Sequence, residues 1–107
     1  MEAKSFKLEE IERPMEVVNW MLEDIKPDPS NPRIIPEEAI AAVVHSIKRF
    51  KVVQPIVVDR HGTIVIGHTR RIAAGRLGME TFPVIVKDDL SDDDLKKLAI
   101  AENRTHE

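Results

Sequence analysis

The sequence predicts one α/β (α+β) domain, a small mixed sheet flanked by helices. Three observations predict it. Short β-branched runs stand at 55–59 (PIVVD), 63–66 (TIVI) and 82–86 (FPVIV). Stretches with apolar residues at helical spacing lie between and after them, so the two kinds of element alternate. The chain has 107 residues, 42% of them apolar and 33% charged, which suits a single soluble unit with a modest core.

Taken in order, residues 1–19 read as an N-terminal arm, charged up to Pro14, with the folded domain following over 20–107. Val17, Val18, Met21, Leu22 and Ile25 fit helical spacing, but Trp20 and the valines suit a strand equally, and the pattern leaves both open. The stretch IKPDPSNPR (25–33) holds three prolines, each without an N–H and each biasing its predecessor toward extended geometry, so it is an irregular loop. From Pro36, placed at the first helical position, Ile40, Val43, Val44, Ile47 and Phe50 form one apolar stripe. The runs 55–59 and 63–66, joined through Arg60-His61-Gly62, give a hairpin. A helix over 69–77 ends at Gly78, and the strand 82–86 carries Pro83 near its start. Ser91 caps a last helix, with Asp94 three residues on as in a capping box and Asp92 and Asp93 in the first turn.

Composition excludes several function classes. With no cysteine, disulfides, thiol catalysis and Cys-based zinc sites are removed. No apolar run approaches the ~20 residues of a membrane span. The charged N-terminus MEAKSFKLEEIERP lacks the apolar centre of a secretory signal, so a cytoplasmic location is expected. A net charge of −3 is not the footprint of a whole-domain nonspecific DNA binder, and three Phe, one Trp and no Tyr offer few platforms for stacking bases.

Residues 66–78, IGHTRRIAAGRLG, pose the sharpest question. Helix N-termini expose N–H groups and the positive end of the macrodipole, so they attract anions, yet Arg70 and Arg71 stand there. A strand, then Gly67, then a helix start is a recipe for an anion site. Arg70 and Arg71 would add charge-assisted donors for phosphate, Thr69 a hydroxyl, and His68, at the mouth, a hydrogen bond or acid–base chemistry. Against this, both arginines could be ordinary solvated partners of carboxylates. Ala73, Ala74 and Gly75 make a small-residue face that suggests close packing by another element.

In the last helix Leu95, Leu98 and Ala99 define a buried stripe, and its next step lands on Glu102. A carboxylate there pairs with a cation or binds a metal. Glu102 with Asn103 supplies the oxygen donors that Mg²⁺ prefers. The other reading is a fraying helix end in solvent. Gln54 could bring an amide to the same pocket.

Together the segments 25–33, 46–58 (SIKRFKVVQPIVV), 67–78 (GHTRRIAAGRLG), 82–86 and 101–104 (AENR) resemble the N-terminal domain of the ParB/sulfiredoxin superfamily, over about residues 20–107. The resemblance implies a nucleotide site for CTP, as in partition proteins, or ATP, as in relatives that transfer phosphoryl groups or reduce sulfinic acids, each with Mg²⁺. Gly67 and Arg70 match the phosphate-binding box, Glu102 and Asn103 the Glu-Asn pair near metal and triphosphate, and Gln54 the residue preceding the ligand-lining strand. The partition-protein box reads Gly-Glu-Arg-Arg, whereas this chain has Gly67-His68-Thr69-Arg70. Sulfiredoxins carry their catalytic cysteine where His68 stands, which excludes that chemistry here.

The expectation is a nucleotide-binding module of a DNA-associated protein, partition-like or attached to a DNA-modifying enzyme. It reads as excised from a longer protein, reaching DNA through the larger assembly, with a homodimer left open. The alternative is an enzyme of the same fold, a nuclease or ATP-dependent phosphotransferase, with His68 or a carboxylate of the Asp28 loop as base. A third reading is a docking domain with a vestigial pocket. A local patch of Lys48, Arg49, Lys51, Arg70, Arg71 and Arg76 could touch backbone phosphates.

Overall fold

The computed structural model describes residues 15–29 and 34–106. The ambiguous first segment is a strand, β1 (Val18–Met21), followed by one 3₁₀ turn (Leu22–Asp24). Val18 and Trp20 turn inward while Asn19 and Met21 stay exposed, a period of two that the apparent helical spacing had obscured. The sheet thus begins ahead of the expected arm boundary. Helix α1 spans Glu37–Phe50, with Pro36 as its N-cap rather than its first residue. Then come β2 (Ile56–Val58), β3 (Ile64–Ile66), α2 (His68–Arg76), β4 (Thr81–Val86) and α3 (Asp92–His106).

The sheet order is β1-β4-β2-β3. β4 pairs antiparallel with β1 and parallel with β2, and β2 pairs antiparallel with β3. Pro83 lies opposite Asn19 of β1, and the β2 ladder begins one residue later at Ile56↔Val84, so the missing donor precedes the doubly paired stretch. After the 3₁₀ turn the chain reaches the outer edge of β3. There Lys26 N–H donates to Gly62 O (2.9 Å) and Ile64 N–H donates to Lys26 O (2.8 Å).

The hairpin turn is built locally. Asp59 Oδ1 accepts from the N–H groups of His61 (2.8 Å) and Thr63 (3.0 Å). Gly62 takes a left-handed conformation (φ 85°), and a Cβ there would come within 2.8 Å of the Asp24 carbonyl. The end of α2 is equally local. Met79 N–H bonds to Ala74 O and Gly78 N–H to Gly75 O, both 3.1 Å, the paired bonds of a Schellman motif. At α3, Ser91 Oγ accepts the Asp94 N–H (3.1 Å), the capping expected from the sequence.

One face of the sheet carries the core: Phe82, Val84, Ile56, Val58 and Ile64, with Leu22, Ile25 and Ala74. Ile47 of α1 and Trp20 pack against it. Helix α3 lies along β3, where Val65 and Leu95 are buried outside that cluster.

Two expectations are corrected. Phe50 does not continue the α1 stripe; it is 60% exposed. The helix stops at Lys51, whose N–H still bonds to Ile47 O (2.9 Å) but whose backbone has turned to φ 67°, ψ −174°. That region is adopted almost only by glycine and costs a side-chain-bearing residue about 1–3 kcal/mol. Gly75 in turn is exposed and meets no other element, for a Cβ there would touch only the Arg71 guanidinium, at 3.4 Å.

Candidate functional site

The site forms where β3 turns into α2. Gly67 caps the helix in a left-handed conformation (φ 113°), open to glycine at little cost. A Cβ there would lie 3.0 Å from Ile56 Cγ1 and 3.4 Å from Arg70 Nη1, so β2 and the Arg70 guanidinium both crowd close to the glycine. Gly67 has no side chain of its own with which to cap α2, and no acidic residue stands in the first turn. The positive end of the helix and a guanidinium therefore converge on one spot.

Arg70 is held there. Its Nη2 donates a hydrogen bond to Gln54 Oε1, at the head of β2. Gln54, Gly67 and Arg70, taken from the sequence as three parts of one pocket, are thus brought into contact. Thr69 is half-buried in the same first turn.

Arg71 points elsewhere. Its Nε donates to the carbonyl of the fully buried Ile25 (2.9 Å), tying α2 to the end of the first loop. The two arginines take different paths, because 100° of helical rotation separates neighbouring side chains and Ile25 lies on the second. Gly75 leaves room for that guanidinium. His68 also departs from expectation. It is 7% exposed, buried at the first helical position rather than at the mouth.

Arg76 leaves the expected basic patch as well. Nη1 and Nη2 donate to the two oxygens of Glu37 (2.5 and 2.7 Å), joining α2 to the start of α1. The Arg76 hydrogen bond holds the Glu37 carboxyl below its ordinary value of 4.5, and the same bond raises Arg76. Arg71 and Arg76 had no sequence signal for their partners, which lie 46 and 39 residues away.

Helix α3 approaches from the hairpin end. Arg60 Nη2 and Asp92 Oδ1 lie 3.9 Å apart, setting the α3 N-terminus beside the hairpin tip. Leu95 and Ala99 then line a cleft of about 360 Å³ with Ile64 and Val65. Two turns on from Leu95 along the same helix, Glu102 is half-buried. The side chain of Asn103 lies outside the described residues.

The sequence matches the family model of the ParB N-terminal domain over residues 7–104. The chain belongs to that family. This ParB N-terminal domain is 37% identical over 79 residues to the ParB-like nuclease domain-containing protein YnaK of Escherichia coli (strain K12), covering 74% of this chain and 91% of that one. It superposes on the C-terminally truncated chromosome-partitioning protein ParB of Caulobacter crescentus complexed with CTP-gamma-S, with a TM-score of 0.73 and 30% identity over 86% of this chain. The same protein complexed to the centromeric parS site gives a TM-score of 0.68. The chain spans about half (54%) of that CTP-gamma-S-bound chain. Sulfiredoxin of Arabidopsis thaliana shares the fold, with a TM-score of 0.65 and 21% identity over 78% of this chain and 96% of its own. The mixed sheet and its flanking helices are those of the ParB/sulfiredoxin fold, as the sequence implied. No helix among the described residues is long and apolar enough to cross a membrane.

Proposed function

We propose that this domain binds a nucleoside triphosphate, CTP or ATP, together with Mg²⁺, as the nucleotide module of a DNA-associated protein, partition-like or attached to a DNA-modifying enzyme. One observation carries the reading: the Arg70 guanidinium lies beside Gly67, the left-handed N-cap of a helix whose first turn holds no acidic residue. Phosphate oxygens fit that arrangement because backbone N–H groups, the helix dipole and a charge-assisted donor all favour an anion at one place. Support comes from the Caulobacter relative, whose structure is a complex with CTP-gamma-S.

The chain's residues divide the work. Gly67 lets the ligand approach the backbone, Arg70 neutralises and orients the phosphates, and Thr69 adds a hydroxyl. Gln54 keeps Arg70 in place before the ligand arrives, so less ordering is needed on binding. Among the described residues no group of three or more His, Asp or Glu is placed to hold a metal. Mg²⁺ keeps several waters and takes one or two carboxylates beside the substrate phosphates. Glu102 is the carboxylate assigned to it, with Asn103 next in sequence. When bound, the ion would neutralise phosphate charge.

Calorimetric titration with CTP and with ATP, each with and without Mg²⁺, tests the reading. Saturable binding that needs Mg²⁺ and disappears in Arg70→Ala is the expected result. No binding of either nucleotide would refute it.

A further inference from the structure

We propose that the corner formed by the last turn of α1 and residues 51–53 is a contact surface for the phosphodiester backbone of duplex DNA. It stands beside the nucleotide site but does not depend on the nucleotide reading.

Charge is the first observation. Residues 39–58 contain three of the chain's 16 Lys and Arg and none of its 19 Asp and Glu. Those three, Lys48, Arg49 and Lys51, are exposed at one corner. Elsewhere Arg76 pairs with Glu37, Lys87 with Asp89 and Lys97 with Asp93, and Arg60 faces Asp92. Among the described residues no carboxylate pairs with any of the three at this corner. An acidic protein thus places three exposed cations within a stretch, 39–58, that has no acidic side chain.

Cations in the last turn of a helix also complement its dipole, and that would account for Lys48 and Arg49 alone. It does not account for Lys51. Here a lysine occupies a backbone conformation that is almost exclusive to glycine, with φ 67° and ψ −174°. Strain of this kind persists only where the surrounding structure holds it, and it keeps a charged side chain at a position that glycine would fill at less cost. Nor does the dipole explain why Phe50 and Val53, at 60% and 73% exposure, flank the cations.

The aromatic ring narrows the partner. The Arg49 guanidinium lies 5.2 Å from the Phe50 ring centroid, so one face of the ring is covered by a cation. A base could not stack on that face. The ring instead braces a guanidinium at the surface, which serves backbone phosphates better than single-strand stacking.

The test is fluorescence anisotropy of a labelled 30-base-pair duplex of arbitrary sequence, titrated with the full chain. Three phosphate contacts predict binding that weakens roughly 40-fold between 50 and 200 mM salt. The triple variant Lys48→Glu, Arg49→Glu, Lys51→Glu should lose at least tenfold in affinity at 50 mM. Arg60→Ala should stay within about twofold, as its cation already faces Asp92. Lys51→Gly separates function from folding: it should raise Tm while weakening DNA binding and reducing the salt slope by about one contact. If the triple variant does not fold, Lys51→Gly and Lys48→Gln decide the matter. Affinity unchanged in these variants, binding insensitive to salt, or binding of phosphatidylserine vesicles without binding of the duplex would each overturn the proposal. Nucleotide titration of the same variants is read separately, so failure of either site leaves the other standing.

Discussion

Gln54 and Arg70, sixteen residues apart, are joined by a side-chain hydrogen bond that holds the guanidinium beside Gly67. The bond links the loop leaving α1 to the first turn of α2. A site whose cation is already in position needs less ordering when its anion arrives.

Removing either partner should therefore weaken nucleotide binding, and unequally. Arg70→Ala loses the charged donor itself and should cost about 1.5–3 kcal/mol, roughly 10–100-fold in Kd. Gln54→Ala keeps the charge but frees the side chain and should cost about tenfold or less. Titration calorimetry with Mg²⁺ and CTP or ATP measures both. Equal losses, or none for Arg70→Ala, would contradict the assignment.

Gly67→Ala tests the cradle itself. A Cβ at φ 113° is strained, and it would press on Ile56 Cγ1 at 3.0 Å. The expected loss is about 1–3 kcal/mol, a drop in Tm of roughly 5–20 °C for a domain of this size. Urea denaturation followed by circular dichroism reads it. A neutral substitution would mean that the turn relaxes freely.

Arg71 should behave in the opposite way to Arg70. It satisfies the Ile25 carbonyl across 46 residues, so Arg71→Ala should cost about 1–3 kcal/mol of stability while leaving nucleotide affinity within about threefold. Stability and affinity measured on one preparation separate the two arginines. A large loss of affinity in a stable Arg71→Ala would return Arg71 to the phosphate site.

These contrasts show which parts of the fold were legible in the sequence. The hairpin, the α2 stop and the α3 cap rest on Asp59, Gly62, Gly78 and Ser91, and each acts on neighbours within a few residues. The Gly67 turn was legible for the same reason. Gln54 was assigned to the pocket, but its hydrogen bond to Arg70 was not foreseen, because the two lie sixteen residues apart and are joined only by the packing of α2 on β2. The fates of Arg71 and Arg76 were not foreseen, because their partners are set by how α2 packs against Ile25 and α1. Phe50 was misplaced because a periodic stripe does not announce that Lys51 will end the helix in a glycine-like turn. His68 was placed at the mouth because its type suggested chemistry, whereas the packing buries it.

The Glu37–Arg76 pair makes a prediction about pH. The Arg76 bond lowers the carboxyl in the folded state. The pair's contribution is therefore fully present above the unfolded carboxylate value, near 4.5, and is lost as pH falls through the lower folded value. Both groups are exposed, so the effect is modest. Glu37→Gln and the wild type should converge in Tm as pH falls through the lowered folded value, where the wild-type carboxylate takes up its proton. Thermal melts at half-unit steps from pH 6 to 3 should then show a shallower decline for the variant. Parallel curves would show that solvent screens the pair completely.

Glu102 gives the most direct test of the metal assignment. It continues the α3 stripe through Leu95 and Ala99 and is half-buried. If it binds Mg²⁺ beside the phosphates, Glu102→Gln keeps the size and hydrogen bonding of the side chain but removes the charge that a hard cation needs. Nucleotide affinity without Mg²⁺ should then be unchanged or slightly improved, since one carboxylate no longer repels the phosphates. The gain in affinity on adding Mg²⁺ should shrink by about tenfold or more. A structural role for Glu102 would give a different result: Tm would fall, and affinity would drop equally with and without the metal. Titrations of wild type and Glu102→Gln at two Mg²⁺ concentrations, with melting curves on the same samples, distinguish the two.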